Sequence, residues 1–180
     1  MGTSDVVVRR VREDDWSRLR GLRLEALRDP VAHLAFLEDV DEALARPDGF
    51  WHERTRSASA GRSVCQVVAV DAGGEPVGTV TALVAEPGEP DYLGDVGPER
   101  RAAVVGVYVR PSHRGAGVLA RLLAAVEEWL VDADVPRVRL HVHEQNERAR
   151  RAYLRCGYTD VGGLVEVSGT PHHELVRELS

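Results

Sequence analysis

Two glycines stand two residues apart, Gly115 and Gly117, in the run Arg110-Pro-Ser-His-Arg114-Gly-Ala-Gly117-Val-Leu-Ala120. Glycine lets a backbone turn without a Cβ clash, so this spacing aims successive N–H groups into one concavity. If a helix starts there, its unpaired first amides and the positive end of its dipole favour an anion such as a pyrophosphate. Arg114 would add a fixed cation beside it. The plainer alternative is a tight strand-to-helix connection without a ligand. Gly115-x-Gly117-x-x-Ala120, with Glu144 downstream, also fits the dinucleotide-binding pattern, but that pattern needs its first glycine directly after the strand, and Arg110 to Arg114 intervene. A Walker A loop is excluded because the sequence contains no lysine.

A second group of reactive types lies downstream. Tyr153 offers a hydroxyl that could act as a general acid, or a core ring whose hydroxyl is satisfied inside. His141 and His143 share one strand face, with Glu144 beside them and His172 and His173 later in the chain; this is either a zinc-type donor set or a polar strand face. Arg148, Arg151 and Arg155 form a basic stripe, solvated or reaching toward a phosphate.

These residues need elements to hold them. Ala102 to Val109 is nearly continuous apolar and β-branched, which suits a central strand covered on both faces. Leu119, Leu122, Leu123, Val126 and Leu130 then form the stripe of a long helix. Val138, Leu140 and Val142 alternate with polar residues as a strand, and Asn146 to Cys156 reads as a short helix ended by Gly157. Upstream, Val6 to Val8 start a strand, Asp14 and Asp15 can cap a helix running to Asp29-Pro30, and one helix is expected between Asp41 and Ser59 with Asp48 as its cap. Val64 to Val70 and Pro76 to Val84 form a hairpin over Asp71-Ala-Gly-Gly74, and Tyr158 to Val167 and His172 to Leu179 supply the last strands. Strand, helix, strand, helix in this order gives a mixed α/β sheet with at least one parallel crossover.

A chain of 180 residues, 43% hydrophobic and 29% charged, is the size and composition of one soluble domain. Its formal charge of −6, with all 23 cations arginine, argues against nucleic-acid or anionic-membrane binding. Met1 to Asp5 carry no export or anchoring signal, and Cys65 and Cys156 form no CxxC pair, so a reduced, cytoplasmic protein is expected.

The sequence resembles the GNAT (Gcn5-related) N-acetyltransferase superfamily. Val109-Arg-Pro111 leads into Arg114-Gly-Ala-Gly117-Val-Leu119, similar to that family's Arg/Gln-x-x-Gly-x-Gly/Ala block, except that Leu119 replaces a small residue. Leu140, Val142, Asn146, Ala149, Tyr153, Arg155, Gly157 and Tyr158 resemble its second block. The resemblance implies one domain over 1–180, with a mixed, mostly antiparallel sheet of six to seven strands, about four flanking helices, and a splay between the strands near 102–109 and 137–143.

The resemblance also implies acetyl-CoA as cosubstrate, no metal, and direct attack of a small primary amine through a tetrahedral intermediate; family members often dimerise. Arg114, Gly115, Ala116, Gly117, Val118, Leu119 and Ala120 would take the diphosphate. Val107, Tyr108 and Val109 would pair with the pantetheine arm like an added strand, and Asn146 would bond that arm or cap its own helix. Tyr153 would protonate the departing thiolate. For a lysine-like amine, removing the proton at pH 7 costs about 4.6 kcal/mol, so a base is valuable. Ala102 to Val109 contains no carboxylate, which leaves Glu99, the loop acids, or His143 through water as open choices. The acceptor pocket would draw on residues 29–50 and 166–173, with Phe36, Glu38 and Asp91 as contacts. Acids Glu38, Asp39, Asp41 and Glu42, and five more between Glu86 and Glu99, point to a cationic acceptor. The alternative is a non-catalytic acetyl-CoA-binding or sensor module of the same fold.

Overall fold

Runs rich in valine and alanine assemble the sheet. In the computed structural model, which describes residues 5–180, Val7–Arg10 (β1), Val64–Val70 (β2), Pro76–Ala85 (β3) and Arg101–Val109 (β4) lie side by side, each antiparallel to the next. Residues Met1 to Ser4, read above for a leader, lie outside the described residues. Arg137–His143 (β5) joins β4 in parallel, and Thr170–Glu178 (β8) continues antiparallel to β5. Thr159–Asp160 (β6) and Val165–Val167 (β7) both pair with β8. Seven strands therefore run in the order β1-β2-β3-β4-β5-β8-β6, with β7 off that line. This is the mixed, mostly antiparallel sheet expected from the sequence.

Among the described residues five α-helices accompany it: Trp16–Leu27 (α1), Val40–Ala45 (α2), Asp48–Ala60 (α3), Val118–Asp132 (α4) and Glu147–Arg155 (α5). The one helix expected between Asp41 and Ser59 is two. Pro47 has no amide hydrogen and cannot continue α2, so the chain restarts there with Asp48 as the first residue of α3 rather than its cap. Asp39 opens α2 through a capping box, its carboxylate accepting the Glu42 amide at 2.9 Å while Glu42 accepts the Asp39 amide at 2.9 Å. Asp15 does not cap α1 as expected. Its oxygens accept the Arg9 guanidinium at 2.7 and 2.9 Å and the Arg12 amide at 2.7 Å.

α4 supplies the crossover between β4 and β5, and its stripe of Leu122, Leu123, Val126 and Leu130 packs on Val80, Val138, Leu140 and Leu175. Burying each such side chain contributes about 1.5–3 kcal/mol. On the other side, Leu22 and Ala26 of α1 cover Tyr108, and Leu24 and Leu27 meet Ala43 and Trp51. α1 and α3 thereby pack against β3 and β2 on one face of the sheet, and α4 packs on the other with Tyr153 of α5 in the same cluster. No helix among the described residues is long and apolar enough to cross a membrane.

Candidate active site

The sheet parts where β4 meets β5. Only Ala102 with Val138 and Ala103 with Arg139 are paired, after which the two strands separate. A bulge helps to part them: Val105 opposes Thr81 and Tyr108 opposes Thr79, so Gly106 and Val107 together face Val80. Gly106 has φ of 62°, a conformation glycine adopts without Cβ strain. The edges of β4 and β5 beyond the last pair border a cleft of about 800 Å³.

The glycine loop stands at that cleft. Gly115 and Gly117 have φ of 78° and 76°, and Gly117 is the cap of α4. The first helical hydrogen bond runs from the Arg121 amide to the Gly117 carbonyl, which leaves the amides of Val118, Leu119 and Ala120 without helical partners. Gly115, Gly117, Val118, Leu119 and Ala120 all line the cleft, and Ala116 is exposed beside them. Arg114 lines it too, but its guanidinium is held by the Val109 carbonyl and by Asp29, both at 2.8 Å. Arg148 and Arg155 of α5 face the same space, whereas Arg151 pairs with Glu147.

Asn146 and Tyr153 enter from α5. The Asn146 side-chain oxygen accepts the Ala149 amide at 3.3 Å as a helix cap, and the residue also lines the cleft. Tyr153 is buried, edge-on to Tyr158, and its hydroxyl has no protein hydrogen bond among the described residues. Burial pushes its hydroxyl pKa well up, so it stays protonated. Both halves of the parted sheet and both segments of the family-like pattern thus converge on one space.

A polar chain not foreseen from the sequence runs along β5. His141 is almost fully buried and lies between two partners: Glu174 Oε2 at 3.0 Å from its Nε2, and the Tyr92 hydroxyl on its Nδ1. His141, Tyr92, His143 and His172 all border the cleft. Burial lowers the His141 pKa, Glu174 pulls it back up, and Arg139 lowers it further. Burial also pushes Tyr92 up to about 12. The His143 ring packs edge-on against His172, with centroids 5.2 Å apart. Among the described residues no group of three or more His, Cys, Asp or Glu could hold a metal ion.

Several of the acids expected to attract a cation are already engaged. Glu38 lines the cleft with Phe36 but accepts Arg23 at 3.1 Å and lies 3.7 Å from Arg46. Asp91 is bound by Arg139, Arg101 and the Leu93 and Asp95 amides, which fixes the Glu86–Glu99 loop. Asp39 and Glu42 are joined in the capping box. The carboxylates of Asp41, Glu89 and Glu99 have no arginine partner among the described residues, and Glu99, which is exposed, does not border the cleft.

An open, mostly antiparallel sheet, parted at one parallel pair with a glycine-opened helix at the parting, defines a mixed α/β architecture with a cleft at the parting. The model of the Acetyltransferase (GNAT) family matches residues 18–158, and the chain belongs to that family. An uncharacterised N-acetyltransferase of Mycobacterium tuberculosis is 32% identical over 87 residues, which cover 46% of this chain and 55% of that protein. The chain thus matches only about half the length of this curated relative. A GNAT-family acetyltransferase of Streptococcus pneumoniae superposes with a TM-score of 0.76 at 13% identity, covering 97% of this chain and all of that one. The PaiA N-acetyltransferase of Thermoplasma acidophilum does so with a TM-score of 0.73 at 14% identity, covering 97% and 99%.

Proposed function

We propose that the protein is a single-domain N-acetyltransferase that moves an acetyl group from acetyl-CoA to the primary amine of a small molecule. The observation that carries this reading is that the unpaired amides of Val118 to Ala120, the open edge of β4, Asn146 and Tyr153 all border one cleft. Its volume of about 800 Å³ suits a cofactor-sized ligand. The Thermoplasma relative, solved in complex with coenzyme A, supports the choice of donor.

Acetyl-CoA, when bound, supplies an activated thioester. The amides from Gly115 to Ala120 would donate hydrogen bonds to its diphosphate, while Arg148 and Arg155 would add positive charge. The edge of β4 at Val107 and Val109 would pair with the pantetheine amides beside Tyr108, the Val109 carbonyl being already taken by Arg114, and a main-chain N–H there would stabilise negative charge developing on the thioester oxygen. Tyr153, kept as a hydroxyl by burial, donates its proton to the departing sulfur.

The proton taken from the amine passes to Tyr92 as the Tyr92 proton passes to His141 Nδ1, and Glu174 stabilises the imidazolium that results. His141 suits this role because burial keeps it neutral at pH 7 and its Nε2–H is already committed to Glu174. His143 lines the same wall and remains a second, water-mediated acceptor.

Thiol release from acetyl-CoA across a panel of primary amines tests the reading. Amine-dependent release that falls in Tyr153→Phe, with acetyl-CoA affinity retained, is expected. Tight acetyl-CoA binding without release to any amine would replace the enzyme with a sensor of the same fold.

A further inference from the structure

Beside the bulge of β4 the cleft continues into a recess of about 30 Å³, lined by Trp51, Arg54, Thr55, Gln66, Gly106 and Tyr108. That is room for a water molecule or the tip of a small ligand. Arg54, Gly106 and Tyr108 border the recess and the main cleft alike, so the two spaces are continuous at the point where β4 bulges.

The charges around this recess do not balance. Arg23, Arg46 and Arg54 surround a single carboxylate, Glu38, which is bound by Arg23 at 3.1 Å and lies 3.7 Å from Arg46. Arg54 has no hydrogen bond and no ion pair among the described residues; its guanidinium lies 5.9 Å from the Trp51 ring centre and opens on the cleft. Arg54 reaches solvent at the rim of the recess; desolvation, then Arg23 and Arg46, still lower its pKa, with only Glu38 acting the other way. A second donor is unmatched beside it. Trp51 is 3% exposed, and its indole N–H is buried without a partner. An unpaired guanidinium at the mouth of the recess, with a buried and unpartnered indole N–H in its wall, is suited to an oxyanion, and the guanidinium fork matches a carboxylate in particular.

We propose that the acceptor is an amino carboxylate, whose carboxylate is held by Arg54 with the Trp51 N–H while its amine reaches the parting of β4 and β5. This rests on the N-acetyltransferase reading and names its acceptor class. The parting of β4 and β5 receives the amine end, and Arg54 selects what lies at the other end. An uncharged or dicationic amine leaves Arg54 unpaired, and a dicationic one adds like-charge repulsion from three arginines.

The test compares glycine, 4-aminobutanoate and 6-aminohexanoate with their amides, with aminoethyl phosphate and with 1,4-diaminobutane, using wild type, Arg54→Gln and Arg54→Lys. At least one amino carboxylate is expected to exceed its own amide in kcat/KM by about tenfold or more in wild type. That gap should collapse in Arg54→Gln and recover in part in Arg54→Lys, with KM for acetyl-CoA unchanged. A diamine or amide that equals its carboxylate, a preference that survives Arg54→Gln, or a stronger preference for the phosphate would overturn the proposal. Calorimetric titration of the same acceptors into CoA-loaded protein separates the two readings. Arg54-dependent carboxylate binding without turnover keeps the recess and removes the transferase, whereas absence of binding removes the recess.

Discussion

His141 Nε2 and Glu174 Oε2 lie 3.0 Å apart and belong to residues that are direct register partners across the β5–β8 ladder. The ladder, rather than a flexible loop, sets that distance, so the imidazole tautomer is fixed by the sheet. Nδ1 is left as the acceptor on the side of Tyr92 and the cleft. His141→Gln is accordingly expected to lower kcat by about 10²-fold or more while acetyl-CoA affinity stays within twofold of wild type. The acid limb of the wild-type kcat profile should fall below the ordinary imidazole value of 6.5, because burial lowers the His141 pKa. Glu174→Gln removes the group that pulls it back up, and should move that limb to still lower pH. A limb unchanged in Glu174→Gln would refute the relay.

Tyr153 has no alternative partner for its hydroxyl among the described residues, and its ring is packed against Tyr158. Phenylalanine keeps the ring contact and removes only the proton donor. Tyr153→Phe should cut kcat by about 10²-fold at neutral pH without a shift in melting temperature beyond a few degrees. The loss should shrink for a donor whose thiol leaves as a more stable anion; an equal loss with both donors would assign Tyr153 to positioning.

Gly117 holds φ at 76° with no atom within 4 Å of where a Cβ would stand. The cost of Gly117→Ala is therefore backbone strain of about 1–2 kcal/mol and not a clash. Gly88 is the matched control, with φ of 80° and equally open space, but in the Glu86–Glu99 loop away from the cleft. Both variants should lower the melting temperature by about 2–8 °C. Only Gly117→Ala should also raise KM for acetyl-CoA, because it turns the free amides at the start of α4.

What could be read from the sequence was local. Gly115 and Gly117, the Leu122–Leu130 stripe and the Asn146 cap are defined by spacings of two to four residues, which fix backbone conformation wherever the rest of the chain lies. The parting of the sheet rested on the family resemblance, and the register shows β4 and β5 joined at two pairs before they separate. His141 was visible as a strand residue, yet its partners come from Tyr92 in an irregular loop and from Glu174, 33 residues onward. Nothing in composition states that register. Arg54 was hidden for a related reason: with 23 arginines and 29 acids, which cation stays unpaired depends on tertiary placement. The division of α2 from α3 went unread although Asp39-x-x-Glu42 and Pro47 are both sequence signals for it.

Glu127 is the one carboxylate of α4 that turns into the protein, 8% exposed, where it accepts the Tyr158 hydroxyl at 3.1 Å and lies 3.4 Å from Arg177. Burial raises its pKa, and Arg177 and Tyr158 only partly offset this. A folded-state pKa above the unfolded value means that the fold prefers the protonated acid. Its ionisation therefore costs stability, progressively as pH rises from the unfolded value through the raised folded one, and fully above it. Glu127→Gln keeps an oxygen for Tyr158 and has no proton to lose. It should match wild type near pH 4 and equal or exceed it at pH 7 by up to about 1 kcal/mol, read as a pH-dependent gap between the two denaturation midpoints. A gap that widens toward low pH would show that the Arg177 pair outweighs burial, and would reverse the sign assigned to this residue.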